Sequence, residues 1–448
     1  MASKHVVVIA FPFGSHPLAL LKQIIRLACA APNVTFSFIN TAKSNQSLFS
    51  NKPNIPHNIK PYNVSDGVPE DHVPGTLSPV PVLVDWFLQA SAENIEQAID
   101  FAVKSTNQRV TCIVSDTFVS APSLSLSYKL NVPWVACWPS LSISFSPHFH
   151  THLIRQNISN CSRKSLDFLP GLSHVTVEDL PDGVLLKPGQ EHKETTFSKA
   201  LASVGQLLPQ AKALVMHFYE ELDPPLFVQD LKSKLKSLLY VGLPMSQSNT
   251  DDPNSCLPWL DQHGARSVAY LSFGTVATVP HHELVEVSEA LEASGFPFLW
   301  SLRDDQKCIL PNGFVERTSK TGKIVPWVPQ IEVLAHGSVG VFVTHCGSNS
   351  VIEGMAYGMP MIGRPFFGDH GMAARTVEDL WKIGVKIQGG VFTKNGLLQS
   401  LNLILVEEEG KKIRENALKM KRTMQNASGV DGKAAQDFKT LVDIITCS

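Results

Sequence analysis

A histidine and an aspartate each follow a strand-like apolar run within the first 116 residues of the chain. His16 lies in the turn-rich loop PFGSH after the run from His5 to Phe11, and Asp116 ends the run VTCIVSD. If these strands are neighbours in a parallel sheet, both side chains reach the same edge. A carboxylate that fixes the tautomer of an imidazole and stabilises the imidazolium gives a good general base near neutral pH. Without further context, a surface histidine and a helix-capping aspartate are the simpler interpretation.

A second concentration of polar residues lies between positions 327 and 370. VGVFVTH is typical of a buried strand that ends at His345, Gly347 allows a tight turn, and Asn349 and Ser350 open the helix VIEGMAY. The N-terminus of a helix presents unpaired N–H groups and the positive end of the helix dipole, which suit a phosphate. Ser350 and His345 would add side-chain donors, so the pattern indicates a phosphate site.

Two more residues of this segment suit a nucleoside. Glu353 lies one turn into the helix, where its carboxylate can accept hydrogen bonds from ribose hydroxyls, and Trp327 offers a flat face for a base. Taken singly, a tryptophan, a serine at a helix start or a histidine is more often structural. The interpretation therefore depends on the joint pattern.

The elements that must position these residues form two α/β units in series. A strand, a helix and a second strand follow one another within the first 40 residues, which predicts a βαβ unit and a parallel sheet. The predicted strands of the first unit are His5–Phe11, Val34–Ile39, Val110–Asp116, Val132–Trp138, Ala213–Phe218 and Leu238–Leu243, with a helix at Pro17–Ala30. Those of the second unit are Val268–Gly274, Phe296–Leu302, Gly322–Val328, Val339–His345 and Pro360–Phe366, with a helix at His281–Ala293.

A polar segment rich in Pro, Ser, Asn and Asp, residues 244–256, separates the two units and is predicted to be a linker. The sequence thus predicts one domain over residues 1–243 and another over residues 257–448. In open α/β sheets, ligands bind outside the carboxyl ends of the strands. A ligand-binding cleft between the two domains follows from this organisation.

Composition argues against several classes of protein. The 448 residues are 44% hydrophobic and 17% charged with a net charge of −2, which indicates a globular chain and argues against a nucleic-acid partner. The eight cysteines form no CxxC pair and no zinc-type spacing. The N-terminal apolar run is too short for a membrane helix and lacks a signal-peptide pattern. We expect a cytoplasmic protein without stable membrane insertion, acting as a monomer.

The segment from Trp327 to His370 closely resembles the sugar-donor box of the plant family 1 UDP-glycosyltransferases. The matching positions are Trp327, Pro329, Gln330, His336, His345, Cys346, Gly347, Asn349, Ser350, Glu353, Gly358, Pro360, Pro365 and Asp369. The segments AFPFGSH, SDTFVS, DFLPGLSHVTVEDLP, LPWLDQ and SVAYLSFGT resemble the same family, so the likeness covers nearly the whole chain. It is greatest to the flavonoid and anthocyanidin 3-O-glycosyltransferase branch.

This resemblance implies a GT-B fold, in which two Rossmann-like domains face each other across a cleft and the last helix packs back on the N-terminal domain. It implies that His16 deprotonates an acceptor hydroxyl while Asp116 orients His16. The reaction would be an inverting transfer of a hexose from a UDP-sugar to a flavonoid, with no metal ion and no other cofactor. Trp327 would stack on uracil beside the Val328 backbone, while Gln330 and Glu353 would hold the ribose.

The resemblance also assigns the remaining donor and acceptor positions. Thr275, His345, Asn349 and Ser350 would bind the diphosphate, and Asp369 and His370 would bind the sugar hydroxyls. The donor site as a whole comprises Ser15, Thr275, Trp327, Val328, Gln330, His345, Gly347, Ser348, Asn349, Ser350, Glu353, Asp369 and His370. The candidates for the acceptor pocket are Phe13, His148, His150, Phe197 and Phe367, of which Phe367 rests on the box and the others on position.

Three positions depart from the family pattern. Ser348 stands where the family usually has Trp, which should open room beside the sugar, and Pro139 stands where many relatives carry Thr. His370 replaces the usual Gln, as in family members that use galactose or arabinose. We therefore expect UDP-galactose as the donor, with UDP-glucose or UDP-arabinose as the alternatives.

Other classes of protein fit less well. An oxidoreductase or epimerase would want GxGxxG after the first strand, and a serine hydrolase would want GxSxG. A glycosidase needs two facing carboxylates, and HHELVE at His281 is not the HExxH of a zinc enzyme. A non-catalytic UDP-sugar or flavonoid binding protein is the serious alternative, although it would be expected to lose the base.

Overall fold

The computed structural model describes residues 4–50, 55–69, 72, 79–158, 164–186, 194–243 and 251–447. Two sheets are present, each flanked by helices. The first contains β1 (Lys4–Ile9), β2 (Val34–Thr41), β3 (Ile59–Val64), β4 (Cys112–Asp116), β5 (Trp134–Trp138), β6 (Ala213–Met216) and β7 (Leu238–Tyr240). The second contains β8 (Val268–Ser272), β9 (Phe298–Ser301), β10 (Gly322–Val325), β11 (Val339–Thr344), β12 (Met361–Gly363) and β13 (Gly384–Lys386).

The helices alternate with these strands. Those that belong to the amino-terminal half are α1 (His16–Ala30), α2 (Ala42–Phe49), α3 (Val80–Thr106), α4 (Ser120–Leu130), α5 (Phe145–Phe149), α6 (Thr151–Ile158), α7 (Thr196–Leu207) and α8 (Pro225–Lys234). Those that follow are α9 (Cys256–Leu260), α10 (His281–Ser294), α11 (Asp304–Lys307), α12 (Phe314–Arg317), α13 (Gln330–Ala335), α14 (Ser348–Tyr357), α15 (His370–Arg375), α16 (Lys394–Leu405), α17 (Glu408–Ala427) and α18 (Lys433–Cys447).

Both sheets are parallel and share one strand order. The first runs β3-β2-β1-β4-β5-β6-β7 and the second β10-β9-β8-β11-β12-β13. Each is the doubly wound order in which the chain winds outward from the first strand, reverses, and continues on the other side of that strand. Helices cover both faces of such a sheet, which explains why the strands are continuous apolar runs such as Val6 to Ile9, all buried.

The reversal creates a crevice at the carboxyl edge of each sheet. In the first sheet it lies between β1 and β4, where Ile9 pairs with Ser115. In the second it lies between β8 and β11, where Ser272 pairs with Thr344. Loops leaving neighbouring strands diverge at such a point, so a ligand can enter between them. Four residues that the sequence singled out for chemistry, His16, Asp116, Thr275 and His345, lie at or just after the ends of these strands.

The two halves are joined by polar contacts across the cleft. Asp179, fully buried, accepts hydrogen bonds from Arg375 (Nε to Oδ2, 3.0 Å) and Lys386 (Nζ to Oδ1, 2.7 Å). The indole N–H of Trp381 donates to the carbonyl of Leu222 at 3.0 Å. A buried carboxylate needs paired charge to offset its desolvation. These contacts therefore hold the halves in one relative position.

The last helix packs against the first sheet. Leu441 and Ile445 of α18 are buried in the same core cluster as β1 and β2. The carboxylate of Asp437 accepts the backbone N–H of Tyr240 at 2.9 Å, and the guanidinium of Arg26 lies 4.1 Å from the ring centroid of Phe438. The carboxyl-terminal end of the chain thus completes the amino-terminal half.

The predicted linker falls partly outside the described residues, since 244–250 are not described. Its end is ordered by a helix cap, because the carboxylate of Asp252 accepts the backbone N–H groups of Cys256 and Leu257 at 2.9 and 2.8 Å. Within the described ranges, no helix is both long and apolar enough to cross a membrane.

We predict that Leu441→Ala lowers the free energy of unfolding by about 2–5 kcal/mol, the usual cost of truncating a buried leucine. Leu441 is 1% exposed, whereas Leu226 on α8 is 63% exposed. Leu226→Ala is therefore the matched control and should change stability little. Urea unfolding followed by circular dichroism makes the comparison, and equal destabilisation by both variants would contradict the packing of α18.

Candidate active site

His16 and Asp116 meet at the crevice of the first sheet. The Nδ1 atom of His16, the first residue of α1, lies 2.8 Å from Oδ2 of Asp116 at the end of β4. The other carboxylate oxygen accepts the backbone N–H of Phe118 at 2.9 Å, so Asp116 is fixed from both sides. With Nδ1–H donating to Asp116, the lone pair of the neutral ring is on Nε2.

The pKa of His16 is set by opposing effects. Burial alone would lower it, but the charge and hydrogen bond of Asp116, with a smaller contribution from Asp369, raise the pKa of His16 above its ordinary value. The fully buried Asp116 thus stabilises the imidazolium. The pair is suited to accept a proton near neutral pH.

Aromatic rings surround His16. The ring of Phe118 lies 4.6 Å from that of His16 and contacts Phe11, Phe197 and His148 at 5.1, 5.3 and 6.2 Å. Phe13 packs on Phe11 at 5.2 Å. Three of the acceptor candidates, Phe13, His148 and Phe197, therefore belong to one cluster beside the base.

Phe118 was missed by the sequence reasoning, although it lies within the segment SDTFVS and only two residues after Asp116. Its position next to a capping aspartate is the signal that could have found it. Burial lowers the pKa of His148 to about 4, so this ring is neutral at pH 7. Its Nδ1 atom has no hydrogen-bond partner among the described residues.

His150 is not brought into this cluster. Its Nδ1 atom lies 3.0 Å from the carbonyl of Ser146, and its Nε2 atom lies 3.1 Å from Asp230 and 3.0 Å from Lys234. Both ring nitrogens are therefore taken up by protein groups next to α8. The sequence pattern around His150 could not reveal this, because Asp230 and Lys234 lie about 80 residues later in the chain.

In the second sheet, the loops leaving β8 and β11 pack around His345. A Cβ atom on Gly274 or Gly347 would lie 2.9 or 2.3 Å from a ring nitrogen of His345, so both positions require glycine for steric reasons. The tight turn expected before α14 is present, and its left-handed residue is Cys346, with φ of 62°. Burial, reinforced by His370, lowers the pKa of His345 to about 3, which leaves a neutral ring.

The N-terminus of α14 opens directly after this turn. The helix begins at Ser348, with Gly347 as the preceding residue and no side chain capping its first N–H groups. Asn349 is partly exposed next to them, whereas Ser350 is buried. Unpaired N–H groups at a helix N-terminus can receive an anion. The structure thus has the helix start that the sequence predicted, with its first N–H groups uncapped by a side chain.

Two exposed hydroxyl residues lie at the crevices of the two sheets. Thr275 follows β8, and Ser15 precedes α1 without making a side-chain capping bond. Both can donate to a ligand between the domains.

Gln330 and Glu353, two of the residues expected to hold a nucleoside, are in contact. The amide of Gln330 donates to Oε2 of Glu353 at 2.7 Å, and Oε1 of Gln330 accepts from the hydroxyl of Tyr270 at 2.9 Å. Burial raises the pKa of Glu353 despite the hydrogen bond from Gln330. Trp327 keeps 45% of its surface exposed, and Val328 beside it is buried. The indole face is therefore free to stack on a base.

Asp369 and His370 lie where the two halves touch. Oδ2 of Asp369 accepts the hydroxyls of Ser348 at 3.2 Å and of Ser140, from the other half, at 2.5 Å. Burial alone would raise the pKa of Asp369, but His370 and the serine hydroxyls lower it. The ring of His370 contacts those of His345 and Phe367 at 4.9 and 4.6 Å. Ser140 is a second residue that the sequence reasoning missed.

A buried ion pair anchors the segment that carries Asp369. The guanidinium of Arg364 donates through Nε to Oε2 of Glu283 at 3.0 Å and through Nη1 to the carbonyl of Pro365 at 2.7 Å. Glu283 belongs to the HHELVE stretch, whose acidic residue thus has a structural partner. Across the cleft, Asp182 accepts the N–H of Gly368 at 3.1 Å.

The site as a whole combines the His16–Asp116 pair with the uncapped N-terminus of α14. Over the ranges that the structure describes, no group of three or more His, Cys, Asp or Glu side chains is arranged to hold a metal ion. The groups around the N-terminus of α14 are neutral donors, while the carboxylate of Asp369 faces the half that carries His16. Such an arrangement can bind a diphosphate and deprotonate a hydroxyl next to it.

Comparisons with known proteins agree with this geometry. Residues 221–427 match the family model described as UDP-glucoronosyl and UDP-glucosyl transferase. The chain is 45% identical to an anthocyanidin 3-O-galactosyltransferase from Rhododendron delavayi, with 99% of this chain and 97% of the relative covered. It is 44% identical, with the same shares covered, to a flavonol 3-O-glucosyltransferase from Actinidia chinensis var. chinensis.

A solved structure shows the same likeness in three dimensions. The crystal structure of a UDP-glucose: anthocyanidin 3-O-glucosyltransferase in complex with UDP superposes with a TM-score of 0.94 and is 53% identical, covering 100% of this chain and 99% of that one. The expected GT-B architecture of two facing Rossmann-like domains is confirmed. With an aligned relative over nearly its full length and a matching fold, the chain belongs to the UDP-glucoronosyl and UDP-glucosyl transferase family of glycosyltransferases.

Proposed function

We propose that this chain transfers a hexose, with inversion, from a UDP-sugar to a flavonoid hydroxyl, the 3-hydroxyl of a flavonol or an anthocyanidin. The observation that carries the proposal is the 2.8 Å contact between His16 and Asp116, at the same cleft as the N-terminus of α14. The names of the relatives, anthocyanidin and flavonol 3-O-glycosyltransferases, support the acceptor class.

In this mechanism the Nε2 atom of His16 takes the proton of the acceptor hydroxyl. The acceptor oxygen attacks the anomeric carbon, and the bond from that carbon to the β-phosphate oxygen breaks as its electron pair leaves with UDP. An α-linked donor therefore yields a β-glycoside. The proton stays on His16, where the charge of Asp116 stabilises it.

The diphosphate of the donor is held by neutral groups. The N–H groups at the start of α14 face the diphosphate, with Thr275, Asn349, Ser350 and His345 beside them. Preorganised donors and a helix dipole stabilise the charge that develops on UDP as it leaves. At the other end, Trp327 stacks on the uracil while Gln330 and Glu353 bind the ribose hydroxyls.

The acceptor lies against the aromatic cluster beside His16. Phe13, Phe118 and Phe197 present flat apolar surfaces, and His148 supplies a polar edge. A planar polyphenol buries its rings against such walls while a few polar groups orient it. Phe367, 47% exposed on the donor side, would close the pocket.

UDP-galactose is the donor we favour, because His370 replaces the glutamine usual in the family. Glutamine and a neutral imidazole each offer a donor and an acceptor to sugar hydroxyls, but the imidazole holds them in a different geometry. Burial lowers the pKa of His370, which keeps its ring neutral. The relatives include both galactosyl- and glucosyltransferases, so UDP-glucose and UDP-arabinose are the alternatives that the assay must include.

We predict that His16→Ala lowers the rate of transfer to kaempferol or cyanidin by about 100- to 10,000-fold, the usual contribution of a general base. UDP binding, measured by calorimetry, should survive because the nucleotide is held by the other half. His281→Ala, at an exposed histidine, serves as the control. Retained transfer in His16→Ala would refute the role of His16, and an inactive wild-type protein that still binds UDP would indicate a non-catalytic binding protein.

The pH profile provides a second prediction. The base must be neutral, so kcat/KM rises with pH as His16 loses its proton, and the raised pKa places this limb above pH 6.5. Asp116→Asn removes the charge that raises the pKa, so the limb moves to lower pH while the maximal rate falls by about 100-fold or more. A limb that stays in place in Asp116→Asn would assign it to another group.

Donor choice provides the third prediction. His370→Gln should lower the ratio of kcat/KM for UDP-galactose to that for UDP-glucose by about tenfold, which corresponds to about 1.4 kcal/mol. His152→Gln, the same change at an exposed position, is the control. Equal ratios in the wild type and His370→Gln would remove His370 as the residue that selects the sugar.

A further inference from the structure

Ser140 reaches from the acceptor-side domain into the donor-sugar region. It follows β5 at the carboxyl edge of the first sheet, and its Oγ atom lies 2.5 Å from Oδ2 of Asp369 and 2.5 Å from Oγ of Ser348. Ser348 lies 3.2 Å from the same carboxylate oxygen. Two serines from opposite domains thus share one oxygen of Asp369.

The single proton on each hydroxyl determines which serine donates to which oxygen. Each serine has one proton to donate and can accept two hydrogen bonds. When Ser140 donates to Asp369, its oxygen remains able to accept the proton of Ser348. Hydrogen bonds to a charged carboxylate are stronger than those between neutral groups, so the chain Ser348–Ser140–Asp369 fixes the orientation of the carboxylate.

This arrangement depends on the small residue at position 348. An indole there, as in most of the family, would bring no hydroxyl to Asp369 and would fill the space in which Ser140 and Ser348 meet. The room that Ser348 was expected to open is therefore bridged from the other domain. Ser144 Oγ lies 3.3 Å from Ser140 and extends the same set of hydroxyls.

We propose that Ser140 is a specificity-determining residue for the donor sugar, acting with Ser348 to orient Asp369 toward one hydroxyl of the hexose. The inference rests on the proposed function only in taking Asp369 as a sugar-binding group. It assigns part of the donor selection to the domain that binds the acceptor. The contact forms where the two domains touch, so the sugar subsite includes groups from both domains.

The experiment compares the binding of UDP-galactose and UDP-glucose with that of UDP, which lacks the sugar. We expect Ser140→Ala to weaken the binding of the preferred UDP-sugar by about tenfold while the Kd of UDP stays within about twofold. The preference between the two sugars should fall as well. Ser140→Thr keeps a hydroxyl and should restore part of the loss, whereas Ser348→Trp should abolish the effect of Ser140→Ala.

The matched control is Ser428→Ala. The hydroxyl of Ser428, which follows α17, also crosses between the halves and lies 2.9 Å from that of Tyr219. If Ser140 merely joined the domains, both variants would weaken UDP and the UDP-sugars alike, and that result would overturn the proposal. An unchanged UDP-sugar affinity in Ser140→Ala would overturn it too.

Binding is measured without turnover, so the two proposals can fail separately. A wild-type protein that binds UDP-sugars but transfers no sugar to a flavonoid would contradict the proposed function and leave the role of Ser140 standing. An active enzyme in which Ser140→Ala matches the wild type in all three affinities would contradict the role of Ser140 alone.

Discussion

The parallel pairing of β1 with β4 is the constraint on which the site depends. Because the chain reverses its direction of winding between these strands, the loop after β1 and the end of β4 meet at one crevice. His16 begins the helix that leaves this crevice, and Asp116 ends the neighbouring strand. A one-residue slip in the register would turn Asp116 to the opposite face of the sheet and separate the pair.

The second domain repeats the same topology for a different purpose. Its crevice, between β8 and β11, presents the start of a helix and a neutral histidine in place of a base and a carboxylate. A buried cation there would carry a large desolvation cost, whereas backbone N–H groups are already present and already oriented. One doubly wound order, used twice, thus provides the two crevices at which we propose a proton acceptor and an anion site.

The sequence predicted the strands that are marked by a continuous apolar run. Strands such as β1, β4 and β11 are continuous apolar runs, and their predicted positions differ from the observed ones by only one or two residues at an end. Two of the four edge strands, β3 and β13, were missed. IKPYNV of β3 contains Pro61 and exposes Lys60 and Asn63, while β13 has only three residues, so neither is a continuous apolar run. Ser140 was missed for another reason, since its partners Ser348 and Asp369 lie 208 and 229 residues later in the chain.

The packing of α18 also bears on how the protein is made. During synthesis the amino-terminal residues leave the ribosome first, and domains generally fold in that order. Here the surface of the first sheet that Leu441 and Ile445 cover stays open until α18 has been translated. The nascent amino-terminal half must therefore remain soluble with an apolar face exposed while the entire second domain emerges.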